Sequence, residues 1–185
     1  MEFNRHTQLE GLHAVFSPSQ SSWLRYSDER AVEVYLNKRA AEMGTRLHAW
    51  VKETIDLGIK QPRSKKTIYA YVNDAIGFKM STEVVLFYSP KFFGTADAIS
   101  FRNMFLRIHD LKTGKRPVDM EQLLIYAALF CLEYRIKPKD LEGCELRIYQ
   151  NDDVMVHNPG PEEIQDVVDR IVYLDKLLEN VNEEA

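Results

Sequence analysis

The chain has 185 residues and a mass of 21.6 kDa, which at ~150 residues per domain is about one domain. Hydrophobic residues make up 45% and charged residues 28%, which excludes a wholly disordered chain, a collagen and a low-complexity polymer. Lys and Arg number 24 against 28 Asp and Glu, so the net charge is −4 and any phosphate-binding surface must be a local patch.

Residues 1–22 are polar and turn-rich around Ser17-Pro18-Ser19, and Ser19 or Ser21 is placed to cap a short helix carrying Trp23, Leu24 and Tyr26. Ala31, Val34, Tyr35, Ala41, Leu47, Trp50 and Val51 recur at helical spacing, so a helix is expected from Asp28 to about Leu57. Gly58 stands where a C-terminal glycine belongs, and Gly44 marks a candidate break into two helices. Lys60 to Lys66 is a basic linker, since Pro62 excludes a helix interior. Ser64 is a candidate cap for a helix from about Lys65 to Ala75.

The period then changes. Thr82 to Tyr88, Gly94 to Arg102 and Phe105 to Lys112 are rich in Val, Ile and Phe and read as three strands. Met120 to Tyr134 is a strongly apolar helix with Asp119 as candidate cap. Glu145 to Gln150 and Val154 to Val156 form a hairpin around Asn151-Asp152-Asp153. Pro161 starts a last helix with one apolar stripe through Ile164, Val167, Val168, Ile171, Leu174 and Leu178. The expectation is a single α/β (α+β) domain over residues 1–185: a helical part (1–79), a sheet core with a central helix (80–156) and a C-terminal helix (160–182). The sheet would be mixed, begin with an antiparallel three-strand unit and be flanked by helices.

Cys131 and Cys144 match no metal or redox spacing, and two cysteines are too few for an iron–sulfur cluster or a four-cysteine zinc site. They are expected to be reduced thiols. No apolar run reaches the ~18 residues of a membrane span, and Met1 to Glu10 carries no apolar signal segment. A soluble, cytoplasmic protein without membrane contact is expected.

The chemistry-bearing stretch is Gly94-Thr95-Ala96-Asp97 followed by Asp110-Leu111-Lys112-Thr113-Gly114. Asp97 and Asp110 are equidistant from Asn103-Met104, so a two-residue turn there would set them directly across from each other, with Cβ atoms ~5 Å apart. Two carboxylates so placed repel unless a cation or a shared proton lies between them. Alternation puts Leu106, Ile108, Asp110 and Lys112 on one face and Arg107, His109 and Leu111 on the other. An isolated Asp-x-Lys is usually a salt-bridged sheet edge. Three features add weight here. Gln122 and Tyr126 share a face of the following helix, Gly44 and His48 share a face of the earlier one, and Lys115 and Arg116 follow the strand at once.

In this order and spacing the residues resemble the PD-(D/E)XK nuclease superfamily, in particular its RecB-like exonuclease branch. The match lies in His48, Gly94-Thr95-Ala96-Asp97, Asp110-Leu111-Lys112-Thr113-Gly114 and Gln122-Leu123-Leu124-Ile125-Tyr126. The Ser-rich opening with Trp23 is similar to the start of some phage-encoded members. The resemblance implies a restriction-endonuclease-like core and a stand-alone, divalent-metal-dependent deoxyribonuclease. It would be an exonuclease of phage or bacterial recombination and repair that leaves a 5′-phosphate, with DNA and a recombination protein as partners, in the host cytoplasm if phage-encoded.

By the same resemblance His48, Asp97, Asp110 and the carbonyl of Leu111 would bind Mg²⁺ or Mn²⁺. Asp97, Asp110 and Lys112 would be catalytic, and Gln122, Tyr126, Lys115 and Arg116 would meet the substrate. Glu83 on the first strand is a further candidate carboxylate, with a solvated strand residue as the other reading. Family members that hold an iron–sulfur cluster use four cysteines, which this chain lacks. The basic run Lys60, Arg63, Lys65 and Lys66 reads as a phosphate track or a solvated linker, and the acidic end with Glu179, Glu183 and Glu184 should lie away from DNA. Two other readings stand beside this one: a nuclease-fold protein that binds DNA or a partner without cutting, and an unrelated α/β module.

Overall fold

A computed structural model describes residue 7, residues 14–114 and residues 118–183. Lys115, Arg116 and Glu184, and the side chain of Glu183, lie outside the described residues. The chain divides into two compact units, Met1–Leu47 and His48–Ala185.

In the first unit a 3₁₀ helix covers Pro18–Arg25. Ser17, not Ser19 or Ser21, precedes its first turn; Ser17 bonds to Ser19, and the Trp23 indole donates to the Ser17 carbonyl at 2.9 Å. Helix α1 (Asp28–Asp56) then runs from this unit into the second. Gly44 does not break it, because a single glycine costs a helix interior only ~1 kcal/mol.

The second unit holds α2 (Thr67–Gly77), β1 (Ser81–Ser89), β2 (Phe92–Arg102), β3 (Phe105–Leu111), α3 (Glu121–Glu133), β4 (Gly143–Gln150), β5 (Asp153–His157) and α4 (Pro161–Glu183). These strands form one mixed sheet in the order β1-β2-β3-β4-β5. The first three pair antiparallel, β3 and β4 pair parallel across the α3 connection, and β5 returns antiparallel. This is the mixed α/β arrangement with an antiparallel three-strand start that the strand spacing predicts.

Two apolar clusters fill the unit. Leu106, Ile108, Leu146 and Ile148 pack with Leu123, Ala127 and Phe130 of α3 and with Ile164 and Ile171 of α4. Leu111, Ala98 and Tyr149 pack with Val51 and Ile55 of α1 and with Tyr71, Val72 and Ala75 of α2. Alternation in β3 is therefore as expected: Leu106 and Ile108 look one way and Leu111 the other. Ser89 and Lys91, at the β1–β2 turn, both donate to Asp175 of α4, at 2.7 and 3.0 Å.

The helix ends show which local signals carried. Gly58, at φ 66°, closes α1 with bonds from Gly58 N–H to the Ile55 carbonyl and from Ile59 N–H to the Thr54 carbonyl, the Schellman pattern. The same bonds close α2 at Lys79 and α3 at Arg135, with φ 51° and 55°. Neither is a glycine, so composition gave no sign of them. At the N-termini Ser64 and Asp119 are displaced from the expected capping role: each accepts from a backbone N–H two residues on, Lys66 and Glu121. Cys131 and Cys144 are free and buried, and burial pushes their thiols up to about 11 and about 12.

Candidate metal and hydrolytic site

The β2–β3 hairpin turns on two residues. Arg102 pairs with Phe105, and Asn103 and Met104 take φ of 51° and 58°, the left-handed pair of a type I′ turn. Asn103 suits that turn and Met104 does not, yet the register is the one the spacing implies. The ladder runs back to Ala98–His109 and stops one step before the acids. There Asp97 leaves the ladder pattern: its Oδ2 accepts the Leu111 N–H at 3.2 Å.

The neighbouring strand is irregular at the same level. Between β1 and β2, pairing passes from Thr82–Ala98 directly to Val84–Ala96 and omits Glu83 and Asp97. Glu83 has φ 49°, a left-handed conformation that costs a non-glycine residue roughly 1–2 kcal/mol. Beyond it the pleat reverses, so that Ala96 packs in the same cluster as Ile99 three residues away. Strain confined to one step beside an acid pair is the kind that collects at functional sites. No pattern of residue types announced it.

Around this defect the chain gathers most of the residues singled out above. His48, in the part of α1 that belongs to the second unit, has its Nδ1 3.6 Å from Asp97 Oδ2. His48, Lys52, Tyr71, Glu83 and Asp97 line a cleft of about 10 Å³, room on the order of one water-sized sphere. Asp110 is 3% exposed. Its burial, and then the charge of Asp97, push its carboxyl above the usual range, while Lys112 opposes them. The Lys112 ammonium donates to Asp110 Oδ1 at 3.1 Å. The buried Oδ2 is as close to the ammonium but not aligned for a hydrogen bond, and it has no hydrogen-bond partner.

Lys112 also donates to Gln122 Oε1 at 2.8 Å, and Gln122 Nε2 donates to the Tyr126 hydroxyl at 3.1 Å. The chain of contacts therefore passes from Asp110 through Lys112 to the exposed face of α3. Gly94 makes this possible, because a Cβ there would lie 2.8 Å from the Tyr126 ring. Gly94→Ala is expected to displace Tyr126 and to cost about 1–3 kcal/mol by overpacking, read as a lower urea midpoint with an unchanged slope. A midpoint equal to the parent's would show that the ring has room to yield.

Two supports from β4 were missed in the sequence. The Tyr149 carbonyl accepts the Lys112 N–H at 2.9 Å, which holds the lysine backbone in line with β3. Gln150 Nε2 donates to the Gly114 carbonyl at 2.6 Å and holds the loop that follows. Both lie in a stretch that reads only as a buried strand.

The donor types suit a hard divalent cation: two carboxylates, an imidazole and a peptide carbonyl. Among the described residues, however, no group of three or more His, Cys, Asp or Glu stands ready to hold a metal. As placed, Asp97 is partnered by the Leu111 N–H and Asp110 by Lys112. The basic run of the linker is exposed, with the Lys66 ammonium over the Tyr69 ring at 5.5 Å. No described helix is long and apolar enough to cross a membrane. No family model, curated protein or solved structure matches the chain.

Proposed function

We propose that this protein is a divalent-metal-dependent nuclease that hydrolyses DNA phosphodiester bonds, acting as an exonuclease and leaving a 5′-phosphate. The observation that carries the reading is the meeting of His48, Asp97 and Asp110 beside Lys112, with a buried Asp110 oxygen that has no hydrogen-bond partner. Lys112 pairs with Asp110 but does not remove the repulsion between Asp110 and Asp97, and a cation is the partner that two neighbouring acids favour together. His48, Asp97, Asp110 and the Leu111 carbonyl are the groups that would hold Mg²⁺ or Mn²⁺. When bound, such an ion supplies a Lewis acid for the scissile phosphate and lowers the pKa of bound water.

The chain's own residues do the rest. Lys112 has three N–H donors, of which one is directed at Asp110 and one at Gln122. The third remains to orient the attacking water or to offset charge growing on the phosphate. Gln122 and Tyr126 hold the ammonium at a fixed height above the sheet. Attack by water in line with the P–O3′ bond breaks that bond and gives a 5′-phosphate and a 3′-hydroxyl, the leaving oxygen taking up a proton.

The test is cleavage of labelled single- and double-stranded DNA, linear and circular, with Mg²⁺, with Mn²⁺ and with chelator. Linear DNA is expected to be degraded only when the ion is present, and circular DNA to resist. Folded protein that cuts none of these substrates with either ion would overturn the reading. Binding without cutting would leave a nuclease-fold binding protein in its place.

A further inference from the structure

A second cavity, of about 240 Å³, opens where the C-terminal half of α3 meets the β1–β2 edge of the sheet. Apolar side chains of the two strands form its floor. Its wall is an aromatic series: the Phe101 and Phe130 rings are 4.9 Å apart and the Phe130 and Tyr134 rings 4.8 Å. Phe130 is 6% exposed and Tyr134 52%, so the series starts in the core and ends at the surface. Lys79, Ser81 and Arg102 stand among its lining residues, and no Asp or Glu does. Lys79 is fixed in its left-handed conformation by the closure of α2, and the Arg102 guanidinium reaches its carbonyl at 3.5 Å.

We propose that this cavity is a nucleotide subsite, in which an unpaired base stacks against Tyr134 beside the Phe101–Phe130 pair while its phosphate is held by Lys79 and Arg102. A cavity with an aromatic wall, a mixed polar and apolar lining and two cations but no acid among its lining residues suits an anion that carries a ring. A zwitterion would find no partner for its ammonium. The volume lies just below the ~300–1,000 Å³ of sites for drug-sized ligands, which suits one base rather than several. Base stacking on an aromatic ring beside a basic rim is how unpaired strands are held without regard to sequence.

The inference rests on the proposed DNA hydrolysis and narrows its substrate. Gln122, Tyr126, Phe130 and Tyr134 recur every fourth residue along α3. From Tyr126 to Tyr134 the helix rises ~12 Å, about four stacked nucleotides at ~3.4 Å each. A strand whose scissile bond lies beside Lys112 would have to cover at least that axial rise, and turn around α3 past the buried Phe130, to set an unpaired nucleotide in the cavity. Substrates with an unpaired segment are favoured over continuous duplex.

The test is fluorescence anisotropy of a labelled ten-nucleotide oligo(dT), and of a blunt duplex, on the full chain with divalent ions chelated so that nothing is cut. Tyr134→Ala is expected to weaken oligo(dT) binding about tenfold and duplex binding by less than about twofold. Tyr134→Phe, which keeps the ring, should restore it. Arg102→Ala should weaken it and lower the slope of log affinity against log salt by about 0.7. Both side chains are exposed, and circular dichroism of each variant checks the fold. Competition by free dTMP at concentrations close to those of the oligonucleotide would identify a mononucleotide site, and its failure to compete a strand site. If Tyr134→Ala and Arg102→Ala bind oligo(dT) as the parent does, the subsite is overturned while the nuclease reading stands. If the parent binds oligo(dT) no better than the blunt duplex, the subsite is likewise overturned, while the nuclease reading is decided by cleavage with the ion present.

Discussion

Lys112→Ala is expected to lower the rate of DNA cleavage about 10²–10³-fold while leaving DNA affinity within a few-fold of the parent. The ammonium is 27% exposed on its side chain, lies 3.1 Å from Asp110 and 2.8 Å from Gln122, and so is held in place before any substrate arrives. A group fixed in advance contributes where charge develops, in the transition state, and little to the bound ground state. Removing it should appear in the single-turnover rate and not in the binding curve. Removing it also leaves Asp110, 3% exposed, without its ion-pair partner. The variant should therefore be checked for folding by thermal melting before its rate is compared. Equal loss of binding and cleavage would assign Lys112 to substrate capture, and an unchanged rate would remove it from the chemistry.

The largest effect on stability is expected from Tyr149→Ala, about 3–5 kcal/mol by denaturant titration. The Tyr149 ring is fully buried against Tyr71, with centroids 5.2 Å apart and an edge-to-face angle of 81°. Its hydroxyl donates to Asp74 at 2.6 Å and stands 3.3 Å from His109 Nδ1. Beside it Arg147 ties Asp74 to Glu145, at 3.1 and 2.9 Å. His109, fully buried, is pushed down to about 4 by that burial and by the nearby Arg147 charge, so it stays neutral at pH 7. Tyr149→Phe keeps the ring and loses only the hydroxyl, and about 1 kcal/mol is expected because Asp74, with a side chain 37% exposed, keeps Arg147 and regains water. A Tyr149→Ala cost no greater than that of Tyr149→Phe would mean that the ring contributes little to the cluster beneath α2.

Residue spacing made the sheet and most of the site legible. The two-residue turn at Asn103-Met104, the strand bounds to within about two residues and the alternation through Leu106, Ile108 and Leu111 all follow from a period of two. The contact between His48 and Asp97 required long-range folding, and only the order of motifs suggested it. Conformations that residue type disfavours were not legible. Lys79, Glu83 and Arg135 adopt left-handed backbone angles that glycine would have advertised, while Gly44 signalled a break that does not occur. The supports from Tyr149 and Gln150 were hidden for another reason. A carbonyl that holds Lys112 is a backbone group, and every residue type carries one.

The tight turn after Arg102 leaves no slack between the two strands that carry the acids. The hairpin acts as a ruler in which chain count sets the register as far as Ala98 and His109, and the bond from the Leu111 N–H to Asp97 sets the last step to the acids. Surface residues of either strand are then free to vary without altering that register. A residue inserted within β3 and not taken up as a bulge is not tolerated in the same way, because it would bring the neutral His109 to the position of the acid and turn Asp110 to the opposite side of the sheet.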